Sequence, residues 1–229
     1  MIIQTSAIVL SSFPYGDNSL IAKCFSEDRG KIGIIIKGAR NKKSSKVAHF
    51  QPLSYIDIIY NYKPTRELQV LSKVGFIEYW SNILNNLRSI TLSMAILDMT
   101  EKAMLYDDPH PNLFLVLKKV LKDFNQNRYD QSILFWFYEC ALLDNLGFRP
   151  NLKNNKMPGV ILPDIQSGTN SLYILEKLFS GNIDKISMDS INNVDRKIIS
   201  EYLWLLLKYH FDTIQKVKFR EVIKTILSD

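Results

Sequence analysis

The chain has 229 residues, 46% of them hydrophobic and 23% charged, with a mean hydropathy close to zero. These proportions describe a globular protein and exclude a disordered tail or a collagen-like polymer, and the length accommodates one large domain or two small ones. The formal charge is +6; residues 1–80 hold 11 Lys and Arg against 6 Asp and Glu, and residues 81–229 hold 18 against 17, so the basic excess lies in the first third.

Up to about Tyr79 the pattern favours strands, because β-branched and aromatic residues come in short runs divided by turn signals. The runs are 2–10, 19–26, 31–37, 53–62 and 68–77. Between them stand Pro14-Tyr15-Gly16-Asp17-Asn18, Glu27-Asp28-Arg29-Gly30, a polar basic stretch at 38–49, and Lys63-Pro64-Thr65-Arg66. Five strands in 80 residues are too few for an immunoglobulin-type sandwich and suit a small closed barrel such as the OB-fold, which removes its own sheet edges.

After Trp80 the period changes from two to about 3.6, and helices are expected. Ile83, Leu87, Ile90, Met94 and Leu97 mark one buried helix face, and Phe114, Leu117, Leu121 and Phe124 another. Residues 133–146 are apolar almost all round and end at Gly147 with Pro150 beyond, which predicts a central helix. Residues 148–170 carry three prolines and two glycines and no cysteine, so an irregular loop is expected there. Helical patterning resumes at 171–179, 194–211 and 217–227. The fold class is therefore α+β, with a five-stranded barrel at 1–80 and a helical domain at 81–229.

The longest apolar runs, 133–138 and 202–207, fall far short of the roughly 18 residues a membrane span needs. No side-chain cation precedes Lys23, so the basic region of a secretory signal is not expected. Cys24 and Cys140 are too few for a disulfide framework and suit a reducing, cytoplasmic setting.

Arg29, Lys31, Lys37, Arg40, Lys42, Lys43 and Lys46 follow one another with no acidic residue among them. On a barrel loop such cations can track a phosphate backbone, although a solvated, solubilising loop would look the same. Phe25, Phe50, Tyr55, Tyr60 and Tyr62 flank the run and are candidate stacking faces for bases, about half of which strand alternation must instead send to the core. Catalytic constellations are scarce. His49, His110 and His210 are far from one another and from both cysteines, which gives no metal-ligand spacing, and no phosphate-cradling glycine loop or nucleophile elbow is present. A nuclease would need a carboxylate cluster for metal ions, and none stands at helical or strand spacing. A non-enzymatic binder, of DNA or of structured RNA, is the expectation.

Specific motifs narrow this further. Ala7-Ile8-Val9-Leu10 is followed by Tyr15-Gly16-Asp17-Asn18-Ser19-Leu20 and Gly30-Lys31; Lys37-Gly38-Ala39-Arg40 is followed, after the basic linker, by Phe50-Gln51-Pro52-Leu53. Downstream come Tyr138-Glu139, Leu142, Leu143, Leu146-Gly147-Phe148 and Pro150. In order and spacing this series resembles the RecO recombination mediators of bacterial DNA repair along nearly the full length. The resemblance implies an N-terminal OB-fold and a helical C-terminal domain, no enzymatic activity and no cofactor. It also implies binding of single- and double-stranded DNA, strand annealing, and work with RecR to load RecA onto DNA coated by single-strand-binding protein. Over the matching motif, Lys37 and Arg40 carry across as DNA contacts; Lys42, Lys43 and Lys46 follow from local charge.

The chain departs from the family pattern twice. Many relatives carry a four-cysteine zinc site after the Leu-Gly-Phe and Pro series, whereas residues 151–173 here contain no cysteine, so no metal is expected. Some relatives have basic residues before the aromatic-Glu pair, on a groove for the acidic tail of single-strand-binding protein, whereas residues 134–137 here are apolar. The densest nearby cations are Lys118, Lys119 and Lys122 with Arg128, flanking the apolar face of Phe114, Leu117, Leu121 and Phe124; these are the candidate tail-binding residues, unless they are only the solvated side of an amphipathic helix.

Overall fold

The structure, a computed structural model, describes residues 1–154, 157–216, 223 and 225–227. Its strands are β1 (Ile2–Tyr15), β2 (Ser19–Ser26), β3 (Gly30–Ile36), β4 (Tyr55–Asn61) and β5 (Leu68–Glu78). They close into a barrel in the order β1-β2-β3-β5-β4, with every pairing antiparallel except that of β3 with β5. This is the OB-fold arrangement. Ala7, Val9, Ala22, Cys24, Ile32, Ile34, Ile36, Ile56, Ile58 and Tyr60 fill its interior.

β1 runs five residues further than its apolar run, because Phe13, Pro14 and Tyr15 pair with β2 instead of forming part of the turn. Beyond Ile8 the strand has left β4 and is paired on one side only, and a proline is tolerated on such an edge. β4 starts later than expected. Leu53 stands at φ +73°, a left-handed conformation that no strand residue adopts. Its N–H donates to the Val9 carbonyl at 3.1 Å, and the Val9 N–H donates to the Ser54 carbonyl at 2.9 Å, so the strained residue is held against β1.

Helices follow the barrel. Two are single turns, α1 (Lys46–His49), inside the basic stretch, and α2 (Ser81–Leu84). The others are α3 (Leu87–Ala103), α4 (Pro111–Gln126), α5 (Gln131–Asn145), α6 (Ser171–Phe179) and α7 (Asn193–His210). Local signals set their ends: the Asn86, Asp130 and Asn192 side chains accept N–H bonds at the starts of α3, α5 and α7. Gly147, at φ +84°, follows α5 in the left-handed conformation. The expected last helix, 217–227, falls outside the described residues except at 223 and 225–227, where Ile223 and Leu227 are buried. Among the described residues no helix is long and apolar enough to cross a membrane.

One core joins barrel and helices. Ile8, Leu10, Phe25 and Tyr55 point outward from the strands, and they are buried in the same cluster as Leu92, Ile96, Phe114, Leu117 and Trp136. Phe25 meets Phe114 edge-on with ring centroids 5.5 Å apart, and Tyr55 stacks on Trp80 at 6.1 Å. At the margin of this contact sits a polar tie. Glu101, near the end of α3, accepts bonds from Lys23 Nζ at 2.5 Å and Ser11 Oγ at 2.6 Å, while Lys31 Nζ donates to the Glu101 carbonyl oxygen at 2.6 Å.

The segment between α5 and α6 is anchored at its far end by a buried carboxylate. Asp195 Oδ1 accepts from the Asn170 N–H at 2.9 Å and from Ser171 Oγ at 2.7 Å. Gly168 must be glycine-sized there, since a Cβ would stand 2.5 Å from Asp195 Oδ1 and 2.1 Å from Ser171 Oγ. Asp195→Ala leaves both donors unpaired in a dry site, and urea denaturation is expected to show a loss of about 3 kcal/mol; a loss below about 0.5 kcal/mol would mean that the loop is held elsewhere.

Burial pushes the Glu101 carboxyl up, but the bonds from Lys23 and Ser11 and the charges of Lys23 and Lys31 outweigh it and hold it below the usual range. A depressed carboxylate stabilises the fold above its unfolded pKa of about 4.3, and that contribution is lost as pH falls through the folded value. Between about pH 5 and pH 3 the wild type should therefore lose more stability than Glu101→Gln does. Parallel pH profiles for the two proteins would contradict the tie.

Candidate nucleic-acid interface

The basic segment between β3 and β4 is a fixed loop with two apolar anchors. Ala39 and Phe50 are fully buried and belong to the barrel interior, so the chain dips into the barrel mouth at both points. It turns at Gly38, φ +67°, just before the first anchor, and there Asn41 N–H donates to the Gly38 carbonyl at 3.3 Å. Arg40 ties the loop to the β1–β2 turn: its backbone N–H donates to the Asn18 carbonyl at 3.0 Å and its Nη1 to the Gly16 carbonyl at 3.1 Å. At the other end of the loop His49 of α1 stacks on Phe76 of β5 at 4.2 Å.

Lys37, Arg40, Lys42, Lys43 and Lys46 are all exposed on this loop, and among the described residues no ion pair links any of them to a carboxylate. The result is a local positive field aimed at solvent. Arg29 and Lys31 are not brought to it. Arg29 lies on the β2–β3 turn, at the opposite end of β2, with its guanidinium 4.9 Å over the Tyr62 ring. Lys31 is 8% exposed, bonded to the Glu101 carbonyl and 4.6 Å over the Tyr106 ring. Burial holds its ammonium below the usual lysine range in spite of Glu101.

Two family models match the sequence that folds in this way, Recombination protein O N terminal over residues 1–80 and Recombination protein O C terminal over residues 84–163.

The chain belongs to the RecO family.

It is 31% identical over 159 residues to the DNA repair protein RecO of Salinibacter ruber, an overlap of 69% of this chain and 61% of that protein. The DNA repair protein RecO of Flavobacterium psychrophilum aligns over the whole of both chains at 27% identity, and that of Chloroherpeton thalassium over 99% of this chain and all of its own at 23%.

In this RecO-family chain the aromatic residues singled out from sequence are mostly core. Phe25, Phe50, Tyr55 and Tyr60 are buried, and half-buried Tyr62 lies under Arg29. Phe13, Tyr15 and Phe76 are instead the half-exposed rings of the barrel strands; none of them flanks the basic run in sequence, and only Tyr15, beside the Gly16-Asp17-Asn18 turn, carries a local signal of exposure.

The four cations of the helical region do not form one cluster. Phe114, Leu117, Leu121 and Phe124, the apolar face beside them, lie in the shared core, where no peptide can reach them. Lys118 turns toward the barrel, 5.8 Å over the Tyr55 ring, and Lys122 is exposed. Lys119 and Arg128 both face the buried Asp123, at 2.9 and 4.0 Å. Lys119 also stands 5.9 Å over Phe137, at one side of a cavity of about 230 Å³ lined by Val116, Phe137, Ala141, Leu178 and Phe179 among others. Arg149 stands 5.7 Å over Phe179 at the other side. Among the described residues no three His, Cys, Asp or Glu side chains come together in a way that could hold a metal ion.

Lys31→Ala should cost about 1–3 kcal/mol in urea denaturation, because it deletes a bond made where water is largely excluded. Lys42→Ala and Lys43→Ala, both exposed, should each change stability by less than about 0.5 kcal/mol. Equal effects at all three positions would put Lys31 back among the free cations.

Proposed function

We propose that this RecO-family chain acts in DNA repair and recombination as a non-enzymatic mediator. It binds single- and double-stranded DNA, anneals complementary strands and, with RecR, helps load RecA onto strands coated by single-strand-binding protein. The observation that carries the DNA-binding part is the set of five exposed cations, Lys37, Arg40, Lys42, Lys43 and Lys46, with Arg40 braced against the β1–β2 turn at one end of the barrel. Lys37 and Arg40 are the motif positions and bind phosphate from a fixed base; the other three extend the field along the loop. Neutralising phosphates releases counterions and weakens the repulsion between two complementary strands, which is the physical requirement for annealing.

The acidic tail of single-strand-binding protein needs an apolar slot with cations at its rim. The cavity between α4, α5 and α6 offers Phe137 and Phe179 in a lining that also includes Asp144 and Asn145, with Lys119 and Arg149 above the two rings, Lys119 ion-paired to Asp123 and Arg149 to Asp144. This moves the proposed receptor away from Lys118, Lys122 and Arg128 and retains Lys119. A peptide copy of the tail should bind more weakly to Lys119→Glu/Arg149→Glu and unchanged to Lys118→Glu; the reverse pattern would return the receptor to the side of α4 that faces the barrel.

Replacing Lys37, Arg40, Lys42 and Lys43 together by Ala should weaken binding to single strands of any sequence. The plot of log affinity against log salt should flatten by roughly 0.7 for each phosphate that is no longer neutralised. A folded variant with the wild-type slope would show a merely solubilising loop. Tighter binding of structured RNA, with no acceleration of DNA annealing, would favour an RNA-binding barrel.

A further inference from the structure

β1 carries a bulge that changes which of its side chains face outward. Val9 pairs with Cys24 and Ser11 with Lys23, so Leu10 is an extra residue on its strand. Before the bulge Ala7 and Val9 face the barrel interior, and Ile8 and Leu10 face the helices. A one-residue slip inverts the pattern beyond it. Ser11, Phe13 and Tyr15 then share the outer face with their cross-strand partners Lys23, Ile21 and Ser19, as the bond from Ser11 to Glu101 of α3 attests. Without the extra residue, Phe13 and Tyr15 would turn toward the barrel side and Ser12 and Pro14 would turn out.

The bulge thus leaves Phe13 42% and Tyr15 52% exposed, about 6.8 Å apart along the strand. Neither ring stacks on another ring or lies under a cation among the described residues. They are not isolated from the charge. Ile21 pairs with both Phe13 and Ile35, and Lys37 opens the turn two residues after Ile35, directly beyond the end of β3. Arg40 bonds to the carbonyl of Gly16, the residue after Tyr15. Two open rings therefore border the two motif cations.

We propose that Phe13 and Tyr15 form a stacking platform for unpaired bases, which makes this end of the barrel selective for single strands over duplex. The proposal rests on the DNA-binding reading above and adds what phosphate contacts cannot supply. In a duplex each base face is occupied by its neighbours, whereas in a single strand it is open to an aromatic side chain.

The test is fluorescence anisotropy of the full chain with three labelled ligands of equal length: an oligothymidine, an abasic strand with the same phosphates, and a duplex. The wild type should bind the oligothymidine about tenfold or more tightly than the abasic strand. Phe13→Ala/Tyr15→Ala should bring the two affinities together, with duplex affinity and salt slope unchanged and the variant still cooperatively folded. Phe13→Tyr/Tyr15→Phe, which keeps both rings, should retain the preference. Equal wild-type affinity for the thymidine and abasic strands overturns the platform and leaves the phosphate site standing. Survival of the preference in the alanine variant, or a matching loss on all three ligands, also overturns it. A wild type that binds none of the three overturns the DNA-binding reading itself.

Discussion

The barrel and the helices bury one continuous apolar core, and the rest of the structure depends on that shared surface. An isolated small barrel exposes the outer side of every strand, but here Ile8, Leu10, Phe25 and Tyr55, all outward-facing, are buried with α3, α4 and α5. Phe25 and Phe114 lock edge to face across the contact, and deleting a buried ring of this kind costs about 3–5 kcal/mol. Burying the outer face on one side also decides where charge can stand. Lys23 and Lys31, at the margin, are held by Glu101, while Lys37 and the loop after it, at the far end of β3, keep their cations in solvent.

A second constraint follows from how β1 serves two partners. It pairs with β4 up to Ile8 and with β2 from Ala7 onward, and the handover is where the bulge falls. Leu53 and Ser54 bond to both backbone groups of Val9 at that point, at the cost of a left-handed conformation for Leu53. The Phe50-Gln51-Pro52-Leu53 motif thereby has two structural roles: Phe50 plugs the barrel and Leu53 pins the handover. Both lie at the end of the basic loop, so loop position, bulge and exposed rings are set by one stretch of chain.

The change of hydrophobic period near Trp80 was legible in the sequence, as were five strands and the faces of α3 and α4, because alternation and helical spacing are local properties. The length of β1 was not, since Pro14 reads as a turn residue until β4 is known to have left that edge. Nor could the sequence separate Lys31 from Lys37: both are lysines at strand ends in the same run, and only the packing of α3 against the barrel buries the first. The same holds for the rings. Alternation says that some must be core, but the inversion of parity at Leu10 requires the β1–β2 register. Lys118 and Lys119, adjacent in sequence, part company because neighbouring helix positions point about 100° apart, one toward Tyr55 and one toward Phe137.

The proposed nucleic-acid surface is the end of the barrel where the β1–β2 turn meets the basic loop. Amide hydrogen exchange of the full chain, with and without a saturating single strand, locates the bound surface directly. Slowed exchange is predicted at residues 11–20 and 37–49, with no change on the β2–β3 turn at 27–29 or in the β4–β5 connection at 62–67. Protection confined to those two turns, or to the helices, would place the DNA elsewhere on the molecule.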